Sequence, residues 1–224
     1  MATNDVIILD KILEQRHADI GPELDSPTFF ELFVAEQVLK DYDLSYDELK
    51  AGRVGGGGDG GIDALYLFAN GDLVQEDTDL SVLKRQVAID LIVIQSKGQT
   101  GFSEGALDKL YSVTVDLLNL AADHDALASV YNAELLSAMK SFKMTYGALA
   151  ARFPKLTVSY YYATKGDEPH PNVQRKVSKL RDSVCQQFSA AEFAFHFLGA
   201  KHLLELARRA PRVSHTLRLS ENPI

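Results

Sequence analysis

The sequence predicts an α/β fold in which a mixed central sheet is flanked by helices. Two apolar segments, 62–69 and 89–97, have the length and the β-branched or aromatic content of buried strands. Amphipathic helical segments precede and follow them, and two later strand-like segments, 156–163 and 193–198, are separated by a further helix. Strands that alternate with helices are typical of one sheet covered on both faces.

Composition favours one sizeable hydrophobic core in a reducing compartment. The chain has 224 residues, of which 46% are apolar, and its single cysteine, Cys185, excludes an internal disulfide. No apolar run reaches the roughly 18 residues of a membrane-spanning helix, and the N-terminus lacks the features of a signal peptide. We therefore expect a cytoplasmic protein without a membrane partner, with Cys185 as a small core residue on the apolar side of a helix.

The first helices are predicted from apolar periodicity and from proline. Residues 5–20 carry apolar groups at helical spacing, and Pro22 ends this segment. Ser26 and Pro27 indicate the N-cap and first turn of a second helix, which runs to about Lys40. A short helical segment follows at 46–50. The expected buried residues of the second helix are Phe30, Phe33, Val34, Val38 and Leu39.

A four-glycine run at 55–58 leads into the first strand. It predicts a loop, because glycine in a helix or strand interior costs backbone entropy. A nucleotide-binding P-loop is excluded, since no Gly-Lys-Ser/Thr is present and a strand follows instead of a helix. After the strand, Asn70-Gly71 predicts a type I′ hairpin turn with a return strand over 72–76.

The segment 89–97 has the pattern of a central strand. One face carries alternating residues that end in Gln95 and Lys97, and Ile92 and Ile94 lie on the other face. Both faces are apolar, as expected of a strand covered on both sides. The later predicted elements are a helical turn at 80–87, helices over 104–122 and 125–152, a helix capped by Asn172, a helix over 200–209 and an edge strand over 212–219.

Asp63, at the entrance of the first strand, forms a candidate metal site with the end of the central strand. Hydrolysis of a phosphodiester needs oxygen ligands for a hard cation such as Mg²⁺ and a positive charge near the developing negative charge. Asp63 can supply a bridging carboxylate, Gln95 can coordinate through its amide oxygen or hold the attacking water, and Lys97 can supply the charge. Taken singly, each of these residues is also explained as an ordinary polar strand end or turn residue.

A glutamate of the second helix could complete the site. Glu31 and Glu36 both lie in this apolar segment, and since they are five positions apart they cannot point the same way. An ordinary exposed helix glutamate is the simpler interpretation of each.

The sequence resembles the PD-(D/E)XK nuclease pattern at Asp63 and at Gln95-x-Lys97. The helix residue Glu31 and the segment Gly-Asp-Gly-Gly-Ile-Asp, which ends in Asp63, belong to the same resemblance. More specifically, it resembles the Mrr-like branch, in which glutamine occupies the (D/E) position. A longer match, through 89–97 and the Gly-Phe-Ser-Glu-Gly-Ala-Leu-Asp-Lys-Leu of 101–110, is similar to the N-terminal part of AIPR, the abortive-infection phage-resistance proteins. The resemblance is dense over about 26–120 and continues to about 220 mainly in the order of strands.

The resemblance implies a restriction-endonuclease-like core, cleavage of DNA that depends on Mg²⁺ or, in its place, Mn²⁺, and a role in phage defence. By position, Asp63, Gln95 and Lys97 match the motif and Glu31 matches the helix glutamate, with Glu36 as the weaker candidate. The metal ligands implied are Asp63, Gln95 and Glu31.

Two alternatives to an active nuclease stay open. Because glutamine replaces a second strand carboxylate, the domain could be a catalytically weak or inactive module that binds nucleic acid or regulates another activity. The second alternative is a scaffold for protein interactions that uses the helical region 104–152. The sequence also leaves open a homodimer and RNA in place of DNA.

The expected organisation is an N-terminal helix over 1–25 and a nuclease domain over 26–224, with a helical insertion at about 104–152. Members of the similar family are longer, so we expect this chain to be the N-terminal part of a larger protein. The C-terminal remainder of that protein would then be one of its partners.

The formal net charge of −8 is unevenly distributed. Residues 1–80 hold 18 acidic and 5 basic side chains, whereas residues 81–224 hold 13 acidic and 18 basic ones. The basic half leaves room for a local phosphate-binding face, although a solvated surface is the simpler interpretation. The expected phosphate contacts are Arg175, Lys176, Lys179 and Arg181, with Lys201, Arg208 and Arg209 as helpers.

Overall fold

The structure, a computed structural model, describes residues 3–212 and contains one five-stranded sheet. The strands are β1 (Ala64–Ala69), β2 (Asp72–Leu73), β3 (Ala88–Lys97), β4 (Lys155–Thr164) and β5 (Glu192–Leu198). Their order across the sheet is β2-β1-β3-β4-β5. β1 is antiparallel to β2 and β3, whereas β3, β4 and β5 are parallel. The predicted mixed sheet with 89–97 at its centre is confirmed.

Helices cover both faces of the sheet. They are α1 (Asn4–Ile20), α2 (Ser26–Val38), α3 (Tyr46–Ala51), α4 (Glu104–Leu117), α5 (Ala133–Leu149), α6 (Pro171–Gln187) and α7 (Ala200–Arg208). One hydrophobic core lies between the sheet and α4, α5 and α6, and a second lies between the opposite face and α1, α2, α3 and α7. The predicted α/β architecture, a mixed central sheet flanked by helices, is therefore confirmed.

β3 contributes to both cores through the predicted alternation. Ile89, Leu91 and Val93 belong to the first core, whereas Ile92 and Ile94 belong to the second. The ten residues of β3 pair along their whole length with β4, and six residues of β1 pair with β3 on the other side. β3 is thus held by a neighbouring strand at each edge and by a hydrophobic core on each face. This fixes the position of its polar C-terminal end.

Several predicted helix boundaries are wrong, for a shared physical reason. The N-cap of α2 is Asp25 and not Ser26, because the Asp25 carboxylate accepts the Thr28 N–H at 2.7 Å. The N-cap of α6 is His170 and not Asn172: the His170 imidazole accepts the Asn172 N–H at 3.2 Å. In both cases the helix begins one or two residues earlier than predicted. The N-cap is therefore the hydrogen-bond acceptor that lies one or two residues before the predicted cap.

The helical region between β3 and β4 also differs from the prediction. α4 ends at Leu117 rather than near residue 122, and the segment predicted to be helical from 125 forms only a 3₁₀ turn at His124–Leu127. α5 begins after Asn132, whose side chain accepts the Leu135 N–H at 2.9 Å. A capped start at this point separates α5 from the residues before it.

Two further predictions concern single features. Cys185 is exposed and is not a core residue, because the buried stripe of α6 includes Val184 and the next residue is rotated by about 100°. The Asn70-Gly71 turn is confirmed, with φ of 53° and 89°, although the return strand is only Asp72–Leu73. The predicted strand over 212–219 lies, apart from Arg212, outside the described residues.

Within residues 3–212, no helix is both long enough and apolar enough to cross a bilayer.

Candidate active site

The candidate site lies where β1 begins and β3 ends. Because these strands are antiparallel, the start of one meets the end of the other, and Ala64 pairs with Ile94. Asp63, just before β1, donates its backbone N–H to the Ile94 carbonyl at 2.9 Å. The sheet therefore places Asp63 beside the last residues of β3, which include Gln95 and Lys97.

The Asp63 carboxylate is buried and asymmetrically bound. Only 3% of Asp63 is exposed. One oxygen, Oδ2, accepts hydrogen bonds from the Ser96 N–H at 2.5 Å and from the Ser96 hydroxyl at 3.1 Å. The other oxygen, Oδ1, lies 3.9 Å from the Lys97 ammonium, which is beyond direct hydrogen-bond distance. Ser96 thus fixes the carboxylate and leaves Oδ1 directed at a positive charge.

Burial dominates the acidity of this group. It raises the pKa of Asp63 to about 6, against a smaller lowering by the Ser96 backbone hydrogen bond and the Lys97 charge. The negative charge of Glu31 contributes to this raised pKa, less than burial does. The ionised carboxylate is therefore incompletely compensated by its protein neighbours, and a bound cation would stabilise it.

The Gln95 side chain is buried with an unused acceptor. Gln95 is 1% exposed, and its Oε1 has no hydrogen-bond partner among the described residues. A Cβ added to Gly61, which has φ of 84°, would lie 3.3 Å from Gln95 Nε2, so the glycine loop reaches the amide closely. A buried amide oxygen left without a partner is costly, so Gln95 Oε1 is an acceptor available to a water molecule or to an ion.

Glu31, and not Glu36, is the helix carboxylate near Asp63. A Cβ added to Gly55 would lie 3.4 Å both from Glu31 Oε2 and from the Asp63 carbonyl oxygen, so one glycine separates these two residues. Glu31 Oε2 also accepts from the Arg53 guanidinium at 2.8 Å. Glu36 is engaged elsewhere, since Arg16 donates to it at 2.9 Å.

Asp59 organises the glycine loop, a role that the sequence did not reveal. Its carboxylate accepts the Gly56 N–H at 3.1 Å and the Gly61 N–H at 2.7 Å. The Gly58 carbonyl accepts the Asn132 N–H at 2.9 Å, which attaches the loop to the start of α5. The loop between Arg53 and Asp63 is therefore held by hydrogen bonds within itself and to α5.

Sequence reasoning missed two residues that contact the site, Ser96 and Arg53. Ser96 lies between two residues of the motif, but strand alternation assigns its side chain to the opposite face from Gln95 and Lys97. Asp63 lies outside the regular strand, so its carboxylate can reach the Ser96 hydroxyl at the end of the sheet. The role of Arg53 could not be predicted from the sequence, because its contact with Glu31 joins two segments that are distant in sequence.

The predicted basic face of α6 is partly neutralised. Lys176 pairs with Asp108 at 2.5 Å and lies 3.6 Å from Glu104, because α4 packs beside α6. Arg181 lies 3.4 Å from Asp182. Arg175 and Lys179 are exposed and form no ion pair within residues 3–212.

The predicted helper residues Lys201, Arg208 and Arg209 lie on or directly after α7. That helix covers the opposite face of the sheet from α6. Arg209 in addition pairs with Asp41 at 2.7 Å. The structure therefore does not place the helpers on the α6 face, where Arg175 and Lys179 are basic residues without an ion pair among the described residues.

The side-chain oxygen atoms near the end of β3 are of the type that a magnesium ion prefers. In residues 3–212, no three His, Cys, Asp or Glu side chains are grouped to hold one metal ion. Mg²⁺ is commonly held by one or two carboxylates together with water, and it prefers oxygen ligands. The Asp63 and Glu31 carboxylates and the unpartnered Gln95 Oε1 are oxygen atoms of this type.

The chain was also compared with known proteins. A scan against models of protein families found no match, and searches of curated proteins and of solved structures found none either.

Proposed function

We propose that this chain is a Mg²⁺-dependent endonuclease that hydrolyses phosphodiester bonds of DNA, with a role in phage defence of the abortive-infection kind. The observation that supports it most is the buried, unpartnered Gln95 Oε1 at the end of β3, where the Asp63 carboxylate is buried beside Lys97. A carboxylate and a neutral oxygen can hold a metal ion, and a neighbouring cation can stabilise negative charge that develops on a phosphate.

Each residue has a role that follows from its surroundings. Asp63 and Glu31 would hold the ion, which, when bound, supplies Lewis-acid stabilisation of charge on the phosphate. Gln95 Oε1 would bind the ion or accept a hydrogen bond from the attacking water. The Lys97 side chain is 45% exposed, so its ammonium can contact a phosphate from solvent while its other side faces Asp63.

A catalytically weak or inactive module that binds nucleic acid is the second candidate. One specific observation favours it: Arg53 already neutralises Glu31 at 2.8 Å. With Glu31 occupied and a neutral glutamine at the second strand position, Asp63 would be the one remaining charged ligand. Such a site binds Mg²⁺ more weakly than a site with two free carboxylates.

Nicking of supercoiled plasmid DNA tests the first candidate. The wild type is compared with Asp63→Asn and Lys97→Ala in Mg²⁺, in Mn²⁺ and in EDTA. Asp72→Asn and Lys84→Ala serve as matched controls, because both residues are exposed. Lys97→Ala is expected to lower cleavage by about 10²-fold or more while DNA binding persists, the effect of losing one preorganised charge. Asp63→Asn is expected to abolish Mn²⁺ binding in a calorimetric titration.

The outcomes separate the two candidates. Cleavage that survives both substitutions would place the activity elsewhere or in a contaminant and would refute the proposed site. A wild type that binds Mn²⁺ and DNA but does not cut would support the inactive module.

A further inference from the structure

A groove of about 920 Å³ lies at the β1–β2 edge of the sheet. Its walls are α3, the β1–β2 hairpin and the start of α5, and its floor is largely apolar. The apolar lining includes Val54, Leu65, Leu67, Val74 and Ala138. A contiguous apolar floor at the surface of a folded protein is typical of a binding surface.

The floor of this groove contains a gap in the backbone pairing of β1. On the outer side of the strand, the Leu65 N–H donates to the Gly52 carbonyl at 2.8 Å, and the Leu67 carbonyl accepts from the Val74 N–H at 2.8 Å. The N–H and C=O of one residue in an antiparallel strand point to the same side. The Leu65 C=O and the Leu67 N–H therefore also point outward, toward the groove.

Neither of these two groups has a backbone partner on that side within residues 3–212. The segment before β1 begins its pairing with β1 at Gly52, and the return segment after β1 ends its pairing at Val74, so these two residues flank the gap. Because Gly52 and Val74 occupy the neighbouring strand position on either side, the gap has no room for an added strand, and it leaves two polar groups at the groove.

The charge around the rim of the groove indicates which kind of ligand it can bind. Five carboxylates line the groove: Asp47, Glu48, Glu76, Asp77 and Glu134. The basic lining residue, Arg53, donates to Glu31 at 2.8 Å and so does not offset them. A rim of this sign repels nucleic acid and attracts cationic side chains.

We propose that this groove binds a basic, extended segment of a partner protein. The apolar side chains of the segment pack on the apolar lining of the groove, and its lysine or arginine side chains contact the rim carboxylates. Binding here needs neither a metal ion nor Asp63, so this surface is independent of the proposed nuclease activity.

The test uses a fluorescein-labelled seven-residue peptide that alternates lysine and valine, titrated with the full chain and followed by anisotropy. A peptide with glutamate in place of lysine is the control ligand. The rim variant combines Glu76→Gln, Asp77→Asn and Glu134→Gln. The control variant makes the same change in net charge at exposed sites away from the groove, with Asp19→Asn, Glu23→Gln and Glu168→Gln.

We expect the lysine peptide to bind in 50 mM salt, the rim variant to bind it about tenfold more weakly and the control variant to bind it like the wild type. Equal weakening by both variants, no binding of the lysine peptide, or equal binding of the glutamate peptide would overturn the proposal.

Amide hydrogen exchange locates the peptide. On binding, the Leu67 N–H, which lies at the groove without a backbone partner, should exchange more slowly because the peptide shields it from solvent, while the Asp63 N–H, already bonded to Ile94, should not change. Unchanged exchange at Leu67 in the peptide complex would exclude binding in this groove.

Discussion

Replacing Asp63 with asparagine is expected to stabilise the metal-free protein at neutral pH. Burial raises the pKa of Asp63 to about 6 from its ordinary 3.8, so the folded state binds this proton more tightly than the unfolded state does. The resulting stabilisation is fully present below about pH 4 and is lost as the pH rises through 6. Since one pH unit corresponds to about 1.4 kcal/mol, the ionised carboxylate costs the fold about 3 kcal/mol at neutral pH.

Asparagine removes this cost while it keeps the size of the side chain. Its amide oxygen can still accept the two hydrogen bonds from Ser96, so the packing at the end of β3 should be preserved. The free energy of unfolding of Asp63→Asn, relative to the wild type, should rise by about 2 kcal/mol between pH 4.5 and 7.5. The exposed Asp72→Asn is the control, for which the difference from the wild type should stay constant.

Urea unfolding in EDTA, followed by circular dichroism at several pH values in this range, measures the difference. Saturating Mg²⁺ should then reduce the difference in unfolding free energy between Asp63→Asn and the wild type, because the ion stabilises only the protein that keeps the Asp63 carboxylate. A difference that does not depend on pH, or one that falls as the pH rises, would refute the inference that burial controls this carboxylate.

Two further predictions concern the loop and the basic face. Gly61→Ala should lower stability by about 1–3 kcal/mol in urea unfolding, because its φ of 84° disfavours a side chain and the new Cβ would lie 3.3 Å from Gln95 Nε2. Gly57→Ala, with open space around it, should cost little, and equal costs would contradict this reasoning. The double variant Arg175→Ala, Lys179→Ala should bind a DNA duplex more weakly in an anisotropy titration. The slope of the logarithm of the binding constant against the logarithm of the salt concentration should fall in magnitude by about 0.9 per lost phosphate contact. Lys176→Ala should change the slope less, because Asp108 already holds that ammonium, and a larger effect of Lys176 would reverse the assignment.

The strands could be predicted from the sequence because their signal is local. The alternation along β3 places Leu91 and Val93 in one core and Ile92 and Ile94 in the other, and side-chain period alone requires this once both faces are buried. The N-caps could not be predicted as well, since Asp25 and Ser26 are both good acceptors and only the backbone conformation decides between them.

The candidate site shows the same division. The approach of Asp63 to Lys97 follows from two antiparallel strands, whose lengths and polar ends can be read from the sequence. The contact between Arg53 and Glu31 depends on how α2 packs against the chain before β1, and the order of residues contains no signal for it. The roles assigned to Gln95 and Glu31 stay predictions until metal binding is measured.

The exposed position of Cys185 has a consequence for measurements of association. It is the only thiol in the sequence, and it lies on the solvent side of α6. Two copies of the chain can therefore be joined by one air-formed disulfide, which would imitate a homodimer in gel filtration or light scattering. The oligomeric state should accordingly be determined in a reducing buffer, or with Cys185→Ser, before a symmetric pair of subunits is inferred.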